Sequence, residues 1–371
     1  MYPRKDPIMT KLFDPIRVGR LTLPNWIIMA PLTRGRTGAA GVPGALVAEY
    51  YAQRAAAGLL ITEATAVSRE GDGWPGAPGF YTDAQAFGWR KVADAVHAAG
   101  GRIFVQLWHM GRAVLPRDLD GARPLAPSEI AATGGHRGKD GVRRAFAVPR
   151  AMTRGDIDST VADFTRAAER AMEAGLDGVE IHAANSFLID TFLRDGTNQR
   201  IDAYGGTPEN RARFLLDIVQ AVSRKIGANR VGVRISPTNA VYGITDSAPE
   251  TTFPTAARML NRFGLAYLHI LEPEAGSGHP MATNLKQAAP LIRAAFDGPL
   301  ILNGGYDRDR AQVAIASGVG DAVAFGAPFI ANPDFVDRFR HRLPLAAPDP
   351  DTFYTQGAAG YTDYPAHPVA A

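Results

Sequence analysis

The chain has 371 residues and an apolar share of 46%, enough for one large domain or two ordinary ones. It has no cysteine, which excludes disulfides, thiolate nucleophiles and Cys-ligated zinc or iron–sulfur centres. The formal net charge is +3 and the basic residues are scattered, with Arg143-Arg144 the densest pair over 137–150, so a nucleic-acid-binding stripe is not expected.

The opening MYPRKDPIMTK is charged and lacks an apolar h-region, so it reads as an extension over 1–10, with Met9 as a candidate start. No apolar run approaches the roughly 18–20 residues of a membrane helix. With no export signal, the expected location is the cytoplasm. Residues 17–24, RVGRLTLP, alternate around a Gly turn and predict a hairpin.

Strand-like apolar runs then recur at 26–30, 58–62, 102–107, 179–181, 230–235, 266–270, 300–302 and 322–325. Helix-like segments separate most of them, at 45–57, 82–99, 157–174, 208–226, 251–263, 284–296 and 308–317. Several end in Gly, the favoured residue past a helix C-terminus. Such alternation predicts an α/β fold, a (β/α)₈ TIM barrel. A doubly wound sheet would predict G-x-G-x-x-G after its first strand. Here that strand is followed by Ala30-Pro31-Leu32-Thr33-Arg34. The expectation is a single domain over 1–371, with an excursion over the barrel mouth at 110–154. The tail from 344 to 371 holds five prolines and is expected to end unstructured.

The strand ends carry the chemistry. The fourth gives His182 and Asn185, two hydrogen-bonding side chains three residues apart that can point at one oxygen atom. They could equally be a satisfied pair tying down a loop. The first strand end offers Pro31 and Thr33, the second Ala64, where a flat ligand can come close, and the third Gln106 and Trp108. The fifth gives Arg234, the seventh Asn303-Gly304-Gly305 and the eighth Gly326-Ala327. Each alone has a plain structural reading: core for Trp108, loop stabiliser for Gln106, half an ion pair for Arg234, tight turns for the glycines. Backbone N–H groups after strands seven and eight are the usual phosphate site of such barrels. With an amide, an arginine and a hydroxyl reaching the interior, the set describes a site for a phosphorylated heterocycle. A fixed cation beside its ring would stabilise a reduced, anionic form.

These residues lie in segments that resemble the Old Yellow Enzyme family of FMN-dependent ene-reductases. The segments are PNWIIMAPLTR (24–34), LITEAT (60–65), GRIFVQLWHMGR (101–112), VEIHAAN (179–185), NQRIDAYGG (198–206), VGVRIS (231–236) and AVAFGAPFIANPDF (322–335). The likeness runs in order over almost the whole chain. It implies a (β/α)₈ barrel, FMN, and NADPH or NADH as reductant. It implies that Thr33 bonds the flavin carbonyl near N5, Ala64 meets the ring edge, Gln106 binds the pyrimidine side and Arg234 lies at N1 and O2. Gly304, Gly305, Gly326 and Ala327 would give backbone N–H groups to the phosphate. His182 and Asn185 would bind the substrate oxygen, and Trp74, Trp108 and Tyr354 would wall the pocket. The implied partners are small activated alkenes (enones, maleimides, nitroalkenes), with no membrane and no nucleic acid; a monomer or small homo-oligomer is expected.

The chain departs from the family's pattern at two places. Phe187 stands where the family commonly has a Tyr acid, which makes Tyr354 the candidate proton donor. Ala327 stands where an Arg commonly faces the phosphate, leaving that charge to backbone groups. Three further readings stay open: an isomerase or desaturase of the same fold, a flavin- or ligand-binding protein with little turnover, and a metal-dependent barrel hydrolase. The last would draw on Glu63 and His109, which lack metal-motif spacing.

Overall fold

The computed structural model describes residues 11–273, 281, 283 and 286–367. The extension over 1–10, the start of the 284–296 helix and the end of the tail lie outside these. Eight parallel strands close into a barrel. They are β1 (Ile27–Met29), β2 (Leu59–Ala66), β3 (Ile103–Trp108), β4 (Gly178–Ala183), β5 (Val231–Ile235), β6 (Tyr267–Leu271), β7 (Leu300–Asn303) and β8 (Ala322–Phe325). Around them run α1 (Ala45–Ala52), α2 (Asp83–Ala98), α3 (Arg154–Glu173), α4 (Leu188–Leu193) and α5 (Pro208–Ile226). Then come α6 (Pro249–Leu260), α7 (Ala289–Ala295), α8 (Arg308–Ala316), α9 (Ala327–Ala331) and α10 (Phe335–His341). No described helix is long and apolar enough to cross a membrane.

Helix α3 illustrates how the outer ring forms. Thr153 caps it: its hydroxyl accepts from the Asp156 N–H at 3.2 Å, while the Asp156 carboxylate accepts from the Thr153 N–H at 2.7 Å. The buried face is Ile157, Thr160, Phe164, Ala167, Ala168 and Ala171, a helical stripe laid on the barrel. Gly175, at φ 87°, follows its end.

The barrel interior is layered. At the base, Phe104 and Tyr267 pack with Ile28, Ile61 and Ile301. The N-terminal hairpin, Ile16–Val18 against Leu21–Leu23, closes this end through Val18 and Leu23. Gly178 and Gly232 make room for the two rings: a Cβ at Gly178 would lie 2.4 Å from Phe104 Cζ, and one at Gly232 2.2 Å from Tyr267 Cζ. Above this layer the inward positions turn polar.

Two expectations are corrected. The second and fourth strands run past their expected ends, so Glu63, Ala64 and His182 lie within strands rather than on turns. The excursion is not a bare loop: it contains 3₁₀ turns and the hairpin Gly135–Arg137 against Arg143–Ala145. The tail is held as far as it is described. Arg34 donates to the carbonyls of Phe353 and Gly360 at 3.1 and 2.7 Å, and Arg36 to those of Thr352 and Gly357 at 2.8 and 3.1 Å. Tyr361 is buried and stacks on Tyr50 at 4.0 Å. The arginines that hold it lie more than 300 positions away in sequence.

Candidate active site

Strand register assembles the interior. Gln106 lies beside Glu180, His182 beside Arg234, and Arg234 beside His269. A bulge in β2 between Ile61 and Ala64 brings Ala64 next to Gln106. Gln106 Nε2 donates to Glu180 Oε1 at 2.7 Å, and His269 Nδ1 lies 2.8 Å from Glu180 Oε2. One terminal nitrogen of Arg234 is 3.1 Å from His269 Nε2, and the other donates to Asn303 Oδ1 at 3.0 Å. Asn303 Nδ2 donates in turn to the Ala324 carbonyl at 2.7 Å.

Burial, and Arg234 nearby, push His269 down to about 4. Burial alone would raise Glu180, but His269, Arg234 and Gln106 together hold it below the usual carboxylate range. The consistent state is a neutral imidazole between a carboxylate and a guanidinium. Arg234 Nε is buried without a hydrogen-bond partner. An orphaned donor on a buried cation is costly unless something else accepts from it.

His182 is buried, and its Nδ1 accepts from the Ala184 N–H at 3.3 Å. That leaves the proton on Nε2, free to donate. Burial, then Arg234, pushes its pKa down to about 3, so the ring is neutral. Asn185 and Ser186 follow with φ of 61° and 68°, a left-handed pair that costs non-glycine residues about 1–3 kcal/mol each. The turn is over-determined. Asn185 N–H donates to Ser236 Oγ at 2.8 Å and Ser186 N–H to Asp190 Oδ2 at 2.9 Å. Asp190 is itself paired with buried Arg194 at 2.8 Å. The Asn185 side-chain oxygen is buried without a partner, so the loop donates no hydrogen bond to this amide.

Phe187 meets Trp108 edge-on at 5.0 Å and His182 edge-on at 5.3 Å. Ala64, Trp108 and Phe187 share one apolar cluster, with Trp74 and Tyr242 packed against it. Trp74 stacks on His136 of the excursion at 5.3 Å and meets Tyr354 at 5.8 Å. The excursion therefore lies against the mouth. Tyr354 sits at its rim, 59% exposed.

Pro31 and Thr33 lie in the half-exposed loop after β1. Glu63 Oε2 accepts from the next two N–H groups, Arg34 and Gly35, at 3.0 Å each. A Cβ on Gly326 would touch Leu32 at 3.3 Å, so the turn after β8 borders this loop. Gly304, at φ 146°, passes so close to the Glu272 carbonyl that a Cβ would lie 2.5 Å from its oxygen. A Cβ at Gly305 would meet only open space. Ala327 opens α9; Pro328 has no N–H and the Phe329 N–H donates to the Gly326 carbonyl at 2.9 Å, so the Ala327 N–H is the one left without an acceptor within the helix.

The sequence reading missed four residues. Glu180 and His269 had a signal: Glu180 is two positions before His182, on the same strand face. Arg310 puts a guanidinium on the Gly305 carbonyl at 2.9 Å, so the glycine turn has a cation that Ala327 does not supply. Tyr242, on the loop after β5 at φ 59°, brings a phenol against the apolar cluster. Of the open metal-site candidates, Glu63 holds the β1 loop and His109 Nδ1 accepts from Gly111 N–H at 3.0 Å. Among the described residues no group of three or more His, Asp or Glu side chains could hold a metal ion.

The family model described as NADH:flavin oxidoreductase / NADH oxidase matches residues 11–346. An old yellow enzyme homologue from Zymomonas mobilis superposes with a TM-score of 0.93 at 48% identity, covering 96% of this chain and 99% of its own. Morphinone reductase in complex with tetrahydroNAD superposes with a TM-score of 0.90 at 47% identity, covering 96% and 97%. A probable flavin mononucleotide-dependent alkene reductase of Leishmania infantum is 40% identical over 95% of this chain and 97% of its own.

Proposed function

Because the chain belongs to the NADH:flavin oxidoreductase / NADH oxidase family, we propose that its barrel mouth carries out FMN-dependent ene-reduction with His182 and Asn185 as the oxyanion donors. FMN, when bound, relays hydride from NAD(P)H to the β-carbon of an activated alkene. The donor set fits that group. Arg234 Nε is an unspent buried donor, Gln106 has its amide nitrogen occupied and its oxygen left to accept, and Gly305 faces open space. Arg234 and Gln106 would hold the pyrimidine side, Pro31, Thr33 and Ala64 the opposite edge, and Asn303 would brace Arg234. Gly304, Gly305, Gly326 and Ala327 would hold the phosphate.

The chain's own work is on the substrate. His182 Nε2–H and the Asn185 amide donate to the carbonyl or nitro oxygen, where negative charge develops. Each such donor contributes about 2.7–4 kcal/mol. A neutral imidazole suits this role, because it stabilises the oxygen without transferring a proton to it. Trp74, Trp108 and Phe187 wall the pocket and exclude water from the β-carbon. Phe187 has no proton to give, so the α-carbon takes its proton from solvent or from the Tyr354 hydroxyl at the rim. Every residue named comes from one chain, so a monomer or small homo-oligomer suffices, in the cytoplasm where reduced nicotinamide is available.

The observation that carries this reading is His182: its Nδ1 is occupied by the Ala184 N–H, and it stands in register beside Arg234. Reduction of β-nitrostyrene, whose α- and β-carbons are distinct, by NAD(P)H deuterated at C4 tests it. One deuterium at the β-carbon, lost together with turnover in His182→Ala, is expected. Label at the α-carbon, or unchanged turnover in His182→Ala and Asn185→Ala, would overturn the assignment.

A further inference from the structure

Gln106 and Arg234 belong to strands that are not neighbours, yet both are bound, directly or through one ring, to the same carboxylate. Glu180 is fully buried on β4. It takes Gln106 Nε2 on one oxygen and His269 Nδ1 on the other. Its reach to His269 crosses β5 at Gly232, the residue beside Glu180 in the ladder. A side chain at 232 would run into Tyr267.

The chemistry of these groups fixes their orientations. An ionised carboxylate only accepts. Gln106 must therefore turn its NH₂ toward Glu180 and its carbonyl oxygen the other way. A guanidinium only donates, so His269 must accept from Arg234 at Nε2 and carry its proton on Nδ1, toward Glu180. The tautomer is set from both ends. The two terminal nitrogens of Arg234 are occupied by His269 and Asn303, which leaves Nε.

We propose that Glu180 is the positioning residue of the FMN floor: one buried carboxylate orients the Gln106 amide directly and Arg234 through the neutral His269 ring, and offsets the Arg234 charge. This rests on the flavin reading above. Two consequences follow. The groups offered to the pyrimidine side are one acceptor and one charged donor, and neither can rotate without breaking a bond to the same carboxylate network. The net charge beneath the ring is near zero, so Glu180 restrains the pull of Arg234 on electrons added to the cofactor.

Glu180→Gln separates this role from simple packing. The shape is kept and the negative charge is lost. A Gln amide can accept at one end only, so Gln106 and His269 can no longer both donate to it. The uncompensated Arg234 favours reduced FMN, and the midpoint potential rises. At least a tenfold shift toward the reduced form is expected, about 30 mV for a two-electron couple, with weaker FMN binding to the apoprotein. His269 gives an independent arm. His269→Gln can accept from Arg234 and donate to Glu180, so it keeps the potential near wild type. His269→Phe cuts the link and leaves Glu180 buried without that donor, so it takes up a proton and the potential rises as in Glu180→Gln.

The experiment is anaerobic dye-equilibration of FMN-loaded wild type, Glu180→Gln, His269→Gln and His269→Phe, with FMN titration of each apoprotein. An upward shift in Glu180→Gln and His269→Phe, with His269→Gln unshifted, supports the proposal. If Glu180→Gln does not fold, the two His269 variants decide by the same criterion. FMN-loaded variants that all keep the wild-type potential would overturn this proposal and leave the flavin reading intact. A wild-type chain that binds no FMN would overturn both.

Discussion

The inner floor and the outer mouth of the barrel are built on different principles. On the floor, Gln106, Glu180, Arg234, His269 and Asn303 sit on strands, and ladder register alone makes them neighbours. Their bonds run side chain to side chain, and nearly every donor has its acceptor. At the mouth, Asn185, Phe187, Trp74, Tyr242 and Tyr354 stand on turns and loops between the strands and helices and on the tail. They are placed by left-handed backbone, by Ser236 and Asp190, and by distant arginines. A floor fixed by register suits one unchanging ligand, whereas a mouth fixed by loops can be altered residue by residue to suit a substrate. His182 belongs to both, a strand residue whose free nitrogen serves the mouth.

The largest expected effect comes from breaking the floor. Arg234→Ala leaves Glu180 as a buried charge without its counterion, which costs about 3–5 kcal/mol. The variant should purify without FMN and unfold at lower denaturant; full flavin content with an unchanged unfolding midpoint would contradict the floor as described.

Breaking the mouth should leave the floor whole. His182→Ala and Asn185→Ala should each keep full FMN content and lose about 10²–10³-fold in turnover. Phenol titration, followed by the charge-transfer band, should weaken in both. Loss of flavin from either variant would show that floor and mouth are not separable.

Phe187→Tyr sharpens the mouth further by restoring a proton next to His182. General acids contribute about 10²–10⁴-fold, so the gain should be greatest for simple cyclic enones and slight for maleimides, read by stopped-flow reoxidation. An equal gain for both acceptors would place proton delivery elsewhere.

Acid should strain floor and mouth together. His182, His269 and, outside the barrel, His109 are pushed to about 3, 4 and 4 by burial, first of all. Each has a folded pKa below its unfolded value near 6.5, so the unfolded chain binds more protons between about pH 6.5 and 4. Stability is therefore lost as pH falls through that window, by about 1.4 kcal/mol per pH unit for each ring. Glu63, raised by burial, works in the opposite sense and moderates the slope. Denaturant midpoints measured from pH 7 to pH 4.5 should fall throughout, and a flat profile would mean these rings are not neutral in the folded chain.

The smallest effect concerns the phosphate side. Arg310→Ala removes the guanidinium at the Gly305 carbonyl and should weaken FMN binding to the apoprotein about tenfold, roughly 1.4 kcal/mol, without moving the potential. An unchanged dissociation constant would leave the phosphate to backbone groups alone.

Most of the fold was legible in the sequence because period, Gly punctuation and strand spacing are local signals. Arg234, Gln106 and His182 could be read from their places late in apolar runs. Glu180 and His269 were passed over because each sits inside an apolar run and looks like an intrusion until β4 and β6 are joined across β5. Order in the tail was not legible, since Arg34 and Arg36 hold it from the far end of the chain. The left-handed turn at Asn185 was also hidden, because its stabilising partners Ser236 and Asp190 lie in other segments.

This barrel passes hydride from nicotinamide to an activated alkene through bound FMN. An anaerobic titration of the FMN-loaded protein tests it most directly. NAD(P)H should bleach the flavin absorbance and one equivalent of a maleimide should restore it, with the saturated succinimide formed in equal amount. A protein that carries no flavin, or a bleached protein whose colour the maleimide does not restore, would contradict it.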